Sequence, residues 1–481
     1  MRDIDFESFT IHGLSELVRK REISPVEIIR ATLTRIEQYD GELMAFITVL
    51  SDEALECAER AEASIVRGDY IGPLHGIPIG LKDIIYTEGS RTTCGSKILA
   101  DFFPREDATV VTRLKKAGAI IVGKLNCHEF ALGATSVNPH YGTPKNPWNA
   151  RCIPGGSSGG SAVAVAASLC LGALGTDTGG SIRIPSSLCG TVGLKPTYGR
   201  VSTSGVYPLS WSLDHVGPMT KTVKDAAILL QSLAGHDPRD ANSSSHPVPD
   251  YLSIREDVRG FRAGVPTEFY FENCDPEVRD RVMKALEVLG EAGVLIQEVS
   301  IPHLKHATTA GLVILLAEAA SQHEVYLKGG QSEDYGKDVR GLLKNGTFVT
   351  ATQYIKAQRV RSVMRREFLK AFELVDVLIT PSLPLVAPEM EQNSVTLSGR
   401  RETVRSALTR LMRPYNLTGI PAIVLPCGFS KSGLPVALQI AGKPFEESAI
   451  LAVAQAYENH TPWHEKRPSI ETSGVPPSHS R

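Results

Sequence analysis

The sequence has almost no net charge: 51 Lys and Arg stand against 53 Asp and Glu, a formal charge of −2. A chain without an excess of either sign has no field to draw it to nucleic acid or to an anionic membrane, so neither is expected as a direct partner. Long apolar runs are also missing. None reaches the roughly 18 residues that a membrane span needs. The most apolar stretch, residues 162–174, is rich in alanine and interrupted by Ser168, and it predicts a buried helix. The first residues, Met1-Arg2-Asp3-Ile4-Asp5-Phe6-Glu7, carry acids where an export signal carries bases, and no apolar core follows them. The eight cysteines, at 57, 94, 127, 152, 170, 189, 274 and 427, form no CxxC pair and no zinc-type spacing. Reduced thiols in a cytoplasmic protein are the expectation.

What is present is ordinary in bulk. With 481 residues, 42% hydrophobic and 22% charged, the chain can bury a large core. Residues 1–65 read as helical. Ser24 is placed to cap, Pro25 suits a first helical position, and Glu27 completes a capping box before Ile28, Ile29, Leu33 and Ile36 at helical spacing. Residues 108–117 predict an amphipathic helix stopped by Gly118, and 119–123 a buried strand. That alternation predicts an α/β fold, a mixed sheet with helices on both faces. Farther on, strands are predicted at 261–265, 294–299, 375–379 and 422–425, and helices at 275–292 and 446–459. Residues 236–250 read as a surface loop or linker, 300–370 as a helical insert or lid, and 471–481 as a disordered tail. The expected organisation is one domain over 1–470, with its catalytic core at about 66–235.

The chemistry concentrates where glycine and serine cluster. One turn, Pro154-Gly155-Gly156-Ser157-Ser158-Gly159-Gly160-Ser161, precedes the alanine-rich stretch. A second, Gly175-Thr176-Asp177-Thr178-Gly179-Gly180-Ser181-Ile182-Arg183, places Ser181 24 residues after Ser157. Closely spaced amides with little side-chain bulk bind anions, whether a phosphate or a developing oxyanion. A phosphate loop needs a Gly-Lys-Ser/Thr ending, and a dinucleotide turn needs GxGxxG; neither is here. Glycines that merely allow tight turns would explain one such turn better than two. Acyl transfer needs a nucleophile, a base and an oxyanion site, and these turns supply serines beside amide donors. His75, His128 and His215 tempt a serine–histidine reading, but no GxSxG elbow accompanies them.

The run 155–201 resembles the amidase signature family, amide hydrolases with a Ser–cis-Ser–Lys triad. The two GGS turns, Asp177, Arg183 and Cys189-Gly190-Thr191-Val192-Gly193-Leu194-Lys195-Pro196-Thr197 carry the likeness. Gly80-Leu81-Lys82-Asp83, Leu213-Asp214-His215-Val216-Gly217-Pro218-Met219 and Gly433-Leu434-Pro435-Val436-Ala437-Leu438-Gln439 extend it over most of the chain. The resemblance implies that Ser181 is the nucleophile, that Ser157 (after a cis peptide bond) relays the proton, and that Lys82 is the base. It also implies an oxyanion hole of the amides of Thr178, Gly179, Gly180 and Ser181. A lysine serves as base only when neutral, which burial favours, and Ile77, Pro78, Ile79 and Leu81 form an apolar approach to Lys82. Asp177 and Arg183 are expected to pair and hold the nucleophile turn. No metal or organic cofactor is implied.

Within the family two branches fit: the glutaminase subunit of a tRNA-dependent amidotransferase, and free-standing amidases acting on aryl amides, aliphatic amides or carbamates. An esterase of the same fold is chemically close. Departures from the glutaminase pattern favour a free-standing enzyme. Ile184 stands where that branch has Gln, and no acid stands among residues 407–413 before Pro414-Tyr415-Asn416-Leu417-Thr418-Gly419 to hold a substrate's amino group. Tyr207 and Trp211 predict either an apolar substrate wall or core packing, and Ile184 is expected beside them at the substrate. A homodimer is a common assembly of such enzymes.

Overall fold

The structure, a computed structural model, describes residues 7–470, so the predicted tail at 471–481 lies outside the described residues. Its strands are β1 (Phe46–Val49), β2 (Pro78–Lys82), β3 (Ile120–Leu125), β4 (Gly172–Thr176), β5 (Val192–Lys195), β6 (Val216–Thr220), β7 (Arg262–Pro266), β8 (Leu295–Val299), β9 (Val377–Pro381), β10 (Ser394–Leu397), β11 (Arg400–Thr403), β12 (Ala422–Phe429) and β13 (Pro435–Gly442). Eleven form one sheet in the order β1-β3-β2-β4-β6-β5-β12-β13-β9-β7-β8, while β10 and β11 make a separate hairpin. The sheet is mixed. β2 runs parallel to β3 and β4, and β7 to β8 and β9, whereas the strands between β4 and β9 pair antiparallel. The expected α/β class is observed. β2, β3, β4, β5 and β6 are buried along their whole length, as strands covered on both faces must be.

Local chemistry explains the boundaries. The helix Pro25–Leu43 starts with the predicted capping box: Glu27 N–H donates to Ser24 Oγ (3.1 Å) and Ser24 N–H to Glu27 Oε2 (2.9 Å). The helix Thr109–Lys116 stops before Gly118, whose φ of 85° only glycine adopts freely. The predicted strands at 261–265, 294–299, 375–379 and 422–425 and the helices at 275–292 and 446–459 all appear, with ends displaced by no more than four residues.

Two expectations need correction. The N-terminal segment is not wholly helical, because Phe46–Val49 leaves it to form the sheet's edge against β3. The stretch 162–174 is not one helix. The helix Gly159–Ala166 ends, Ser168 turns the chain at φ 58°, and Gly172 begins β4. Arg35 donates to the carbonyls of Ala167 (3.0 Å) and Ser168 (3.2 Å), and Lys221 to Ser168 Oγ (2.6 Å), so cations close that helix end. The segment 236–250 is irregular, as the surface-loop reading expects, and is pinned at two points: Asp237 accepts from Ser202 Oγ (2.6 Å), and Asp240 from Thr203 N–H (2.7 Å).

Candidate active site

β2 and β4 lie side by side, parallel, with Leu81 opposite Leu174. Both therefore end at one edge, the place where parallel strands of α/β sheets present their ligands. Lys82 is the last residue of β2 and Thr176 the last of β4. Lys82 is fully buried, and its Nζ donates to Ser157 Oγ and to Thr176 Oγ1, both at 2.7 Å. Burial pulls the Lys82 ammonium down to about 8, with Cys127, Asp214 and Asp177 opposing it. Ser157 is fully buried, and the Gly156–Ser157 peptide is cis.

The second turn continues from β4. Ser181 is almost buried, with 7% of its surface exposed, and its carbonyl accepts from Ser158 N–H (3.2 Å), which ties the two serine turns together. Ser181 Oγ donates to no described residue. Asp177 organises this turn. It accepts from Gly180 N–H (2.8 Å), from Arg183 Nε (3.0 Å) and Nη2 (3.1 Å), and from Asn416 Nδ2 (2.7 Å). Burial alone would raise its carboxyl, but the Arg183 guanidinium holds it well below the usual range. Arg183 in turn reaches Asn416 Oδ1 and Gln439 Oε1, both at 2.7 Å. Of the amides expected in the oxyanion hole, that of Gly180 donates to Asp177, while those of Thr178, Gly179 and Ser181 have no protein acceptor among the described residues. Thr176, Asn416 and Gln439 are site residues that the sequence reading misses, although Thr176 sits inside the second glycine turn.

Two hollows adjoin this turn, sharing Thr178 and Leu209. One is lined by Tyr207, Trp211 and Asp214. Tyr207 is buried against Phe130, ring centroids 5.0 Å apart, so it belongs to core and wall at once, whereas Trp211 is 45% exposed. Burial raises the Asp214 carboxyl to about 6, against the bonds it accepts from Thr178 Oγ1 (2.6 Å) and the amides of Leu209 and Ser210. The other hollow is lined by Ser181, Gly179, Ile184, Leu315, Arg405 and Arg413, so Ile184 lines a different hollow from Tyr207 and Trp211. Leu315 comes from the helix Ala307–Gln322, so the predicted helical insert supplies one wall.

A family model described as Amidase matches residues 27–451. The chain belongs to the amidase family. It is accordingly an enzyme acting on amide C–N bonds. Among amidase-family relatives, the glutamyl-tRNA(Gln) amidotransferase subunit of Geobacter metallireducens is 43% identical, covering 96% of this chain and 99% of that protein. The solved glutamyl-tRNA(Gln) amidotransferase subunit from Thermotoga maritima is 35% identical with a TM-score of 0.82, covering 98% and 100%. A crystal structure of an amidase is 36% identical with a TM-score of 0.86, covering 94% and 99%. The relatives named for the amidotransferase support the branch that the sequence reading places second. Among the described residues, no helix is long and apolar enough to cross a membrane.

Proposed function

We propose that this protein is a serine amidohydrolase working through an acyl-Ser181 intermediate. The observation that carries the reading is the fully buried Lys82, its ammonium depressed and its Nζ 2.7 Å from Ser157 Oγ. Neutral Lys82 takes the proton of Ser157, and Ser157 takes that of Ser181. Ser181 Oγ bonds to the amide carbonyl carbon. The oxygen that becomes negative faces the amides of Thr178, Gly179 and Ser181. The C–N bond then breaks as the relay returns a proton to the departing nitrogen, and water cleaves the acyl ester by the same route. Asp177 and Arg183 act by holding the turn.

For the acyl donor, likeness along the whole chain favours the glutaminase role within an amidotransferase, with partner subunits. A second reading, a free-standing amidase or carbamate hydrolase, rests on the hollow beside Ser181. Ile184, Arg405, Thr409 and Arg413 line it, and none of these offers a carboxylate to glutamine's ammonium group. Assaying the purified chain on glutamine, an anilide, an aryl carbamate and an aryl ester, with Ser181→Ala as control, tests both. Ser181-dependent turnover of any amide supports the hydrolytic reading, and turnover of amides undiminished in Ser181→Ala refutes it. Glutamine as sole substrate, or activity only with partner subunits, selects the first branch. Anilide or carbamate turnover with glutamine inert selects the second.

A further inference from the structure

Arg413 is the most unusual group beside the nucleophile turn. Its side chain is buried, 5% exposed, yet Nε and Nη1 have no hydrogen-bond partner among the described residues. Its stem runs between two glycines. Cγ lies 3.9 Å from where a Cβ on Gly179 would stand, and Cβ and Cδ lie at the same distance from the corresponding point on Gly311. The stem thus passes within van der Waals reach of Gly179, in the turn that carries Ser181, and of Gly311. Arg405, half-buried, lines the same hollow, as does Thr409. Two cations thus face one small hollow. Burial, and then Arg405, pushes the Arg413 guanidinium down to about 9, so it still carries its charge at neutral pH. The carboxylate acting on Arg405 is Asp338, which accepts from His128 Nε2 (2.8 Å) and is not part of the lining. A buried guanidinium without an anion is costly, and the natural way to recover that cost is a ligand carrying one. Guanidinium forks match carboxylates.

We propose that Arg413, with Arg405, binds a carboxylate at the far end of the acyl group, so that the substrate is a short monoamide of a dicarboxylic acid, or its carbamoyl equivalent, without an ammonium group beside the carboxylate. This deepens the second, free-standing reading of the serine amidohydrolase and rests on that reading for the reaction. The carboxylate then occupies the hollow that Ser181, Ile184, Arg405 and Arg413 line, and the adjoining hollow of Tyr207 and Trp211 takes the departing nitrogen and its substituent.

The test is calorimetric binding to the full chain carrying Ser181→Ala, which removes turnover. The probes are malonamate, succinamate and glutaramate, each against its neutral diamide, with glutamine against glutaramate. At least one monoamide should bind tenfold or more tighter than its diamide, glutaramate should bind tighter than glutamine, and Arg413→Met should erase the carboxylate preference. Arg405→Gln, at a less buried position, should weaken it at least threefold and serves if Arg413→Met does not fold. Equal binding of every monoamide and its diamide overturns the proposal, as does a preference that survives in the variants or tighter binding of glutamine. The two readings fail separately. Ser181-dependent anilide hydrolysis without carboxylate preference leaves the hydrolytic reading standing. Selective binding of a monoamide that wild type hydrolyses no faster than Ser181→Ala leaves the anion site and removes the hydrolytic role.

Discussion

Lys82 is one fully buried ammonium with two hydroxyl partners, and its behaviour with pH follows from that. Because its folded value is pushed down to about 8, the base form grows as pH rises through that value and is scarce below it. Turnover should therefore climb from about pH 6 to a plateau above about pH 9. A pH–rate profile flat across that range would remove Lys82 as the base. Thr176 Oγ1 accepts from the ammonium and so favours the charged form. Thr176→Val should move the rising limb toward acid by about one pH unit, the order expected of a hydrogen bond to a charged group. A shift toward alkali in the same profile would contradict this. Lys82→Ala should lower kcat by about 10³-fold or more while circular dichroism stays native, as for other members of catalytic relays.

The serine turns are stabilised by an element-scale device: one carboxylate gathers a helix start, a glycine turn and the segment Arg413–Thr418. Removing one partner of a fully buried pair leaves the other charge uncompensated, so Arg183→Met should cost about 3–5 kcal/mol of stability. Thermal unfolding checks this, and an unchanged midpoint would show that Asp177 finds other compensation. Most elements are legible in the sequence because their signals are local. Ser24-Pro25-Val26-Glu27 specifies a helix start, Gly118 a stop, and Gly-Ser turns with fixed neighbours specify a site. What stays hidden depends on long-range contacts. The break at Ser168 is held by Arg35 and Lys221, remote in sequence, and alanine-rich composition alone favours continuing the helix. The resemblance implies an oxyanion role for Gly180's amide, and the reach of Asp177 to that amide is a matter of folded geometry. Asn416 and Gln439 join the site only because the segments after residue 400 fold back onto Arg183.

At the scale of the whole molecule, the sheet order explains how residues 82, 157, 181 and 413, scattered over more than three hundred positions, meet at one edge. β2 and β4 are neighbours only because the chain returns after the segment that forms β3, and the glycine turns occupy the space beyond their ends. Overall likeness and local lining then speak to different properties: the first to descent shared with amidotransferase subunits, the second to the acyl group proposed for the hollow. The central claim concerns a covalent bond on one serine, and the most direct measurement is peptide mass mapping after acid quench of the chain mixed with p-nitrophenyl acetate. One acetyl group is expected on the peptide containing Ser181, absent in Ser181→Ala and reduced in Lys82→Ala. An acetyl group on Ser157 or a cysteine instead, or steady Ser181-independent turnover with no adduct, would contradict it.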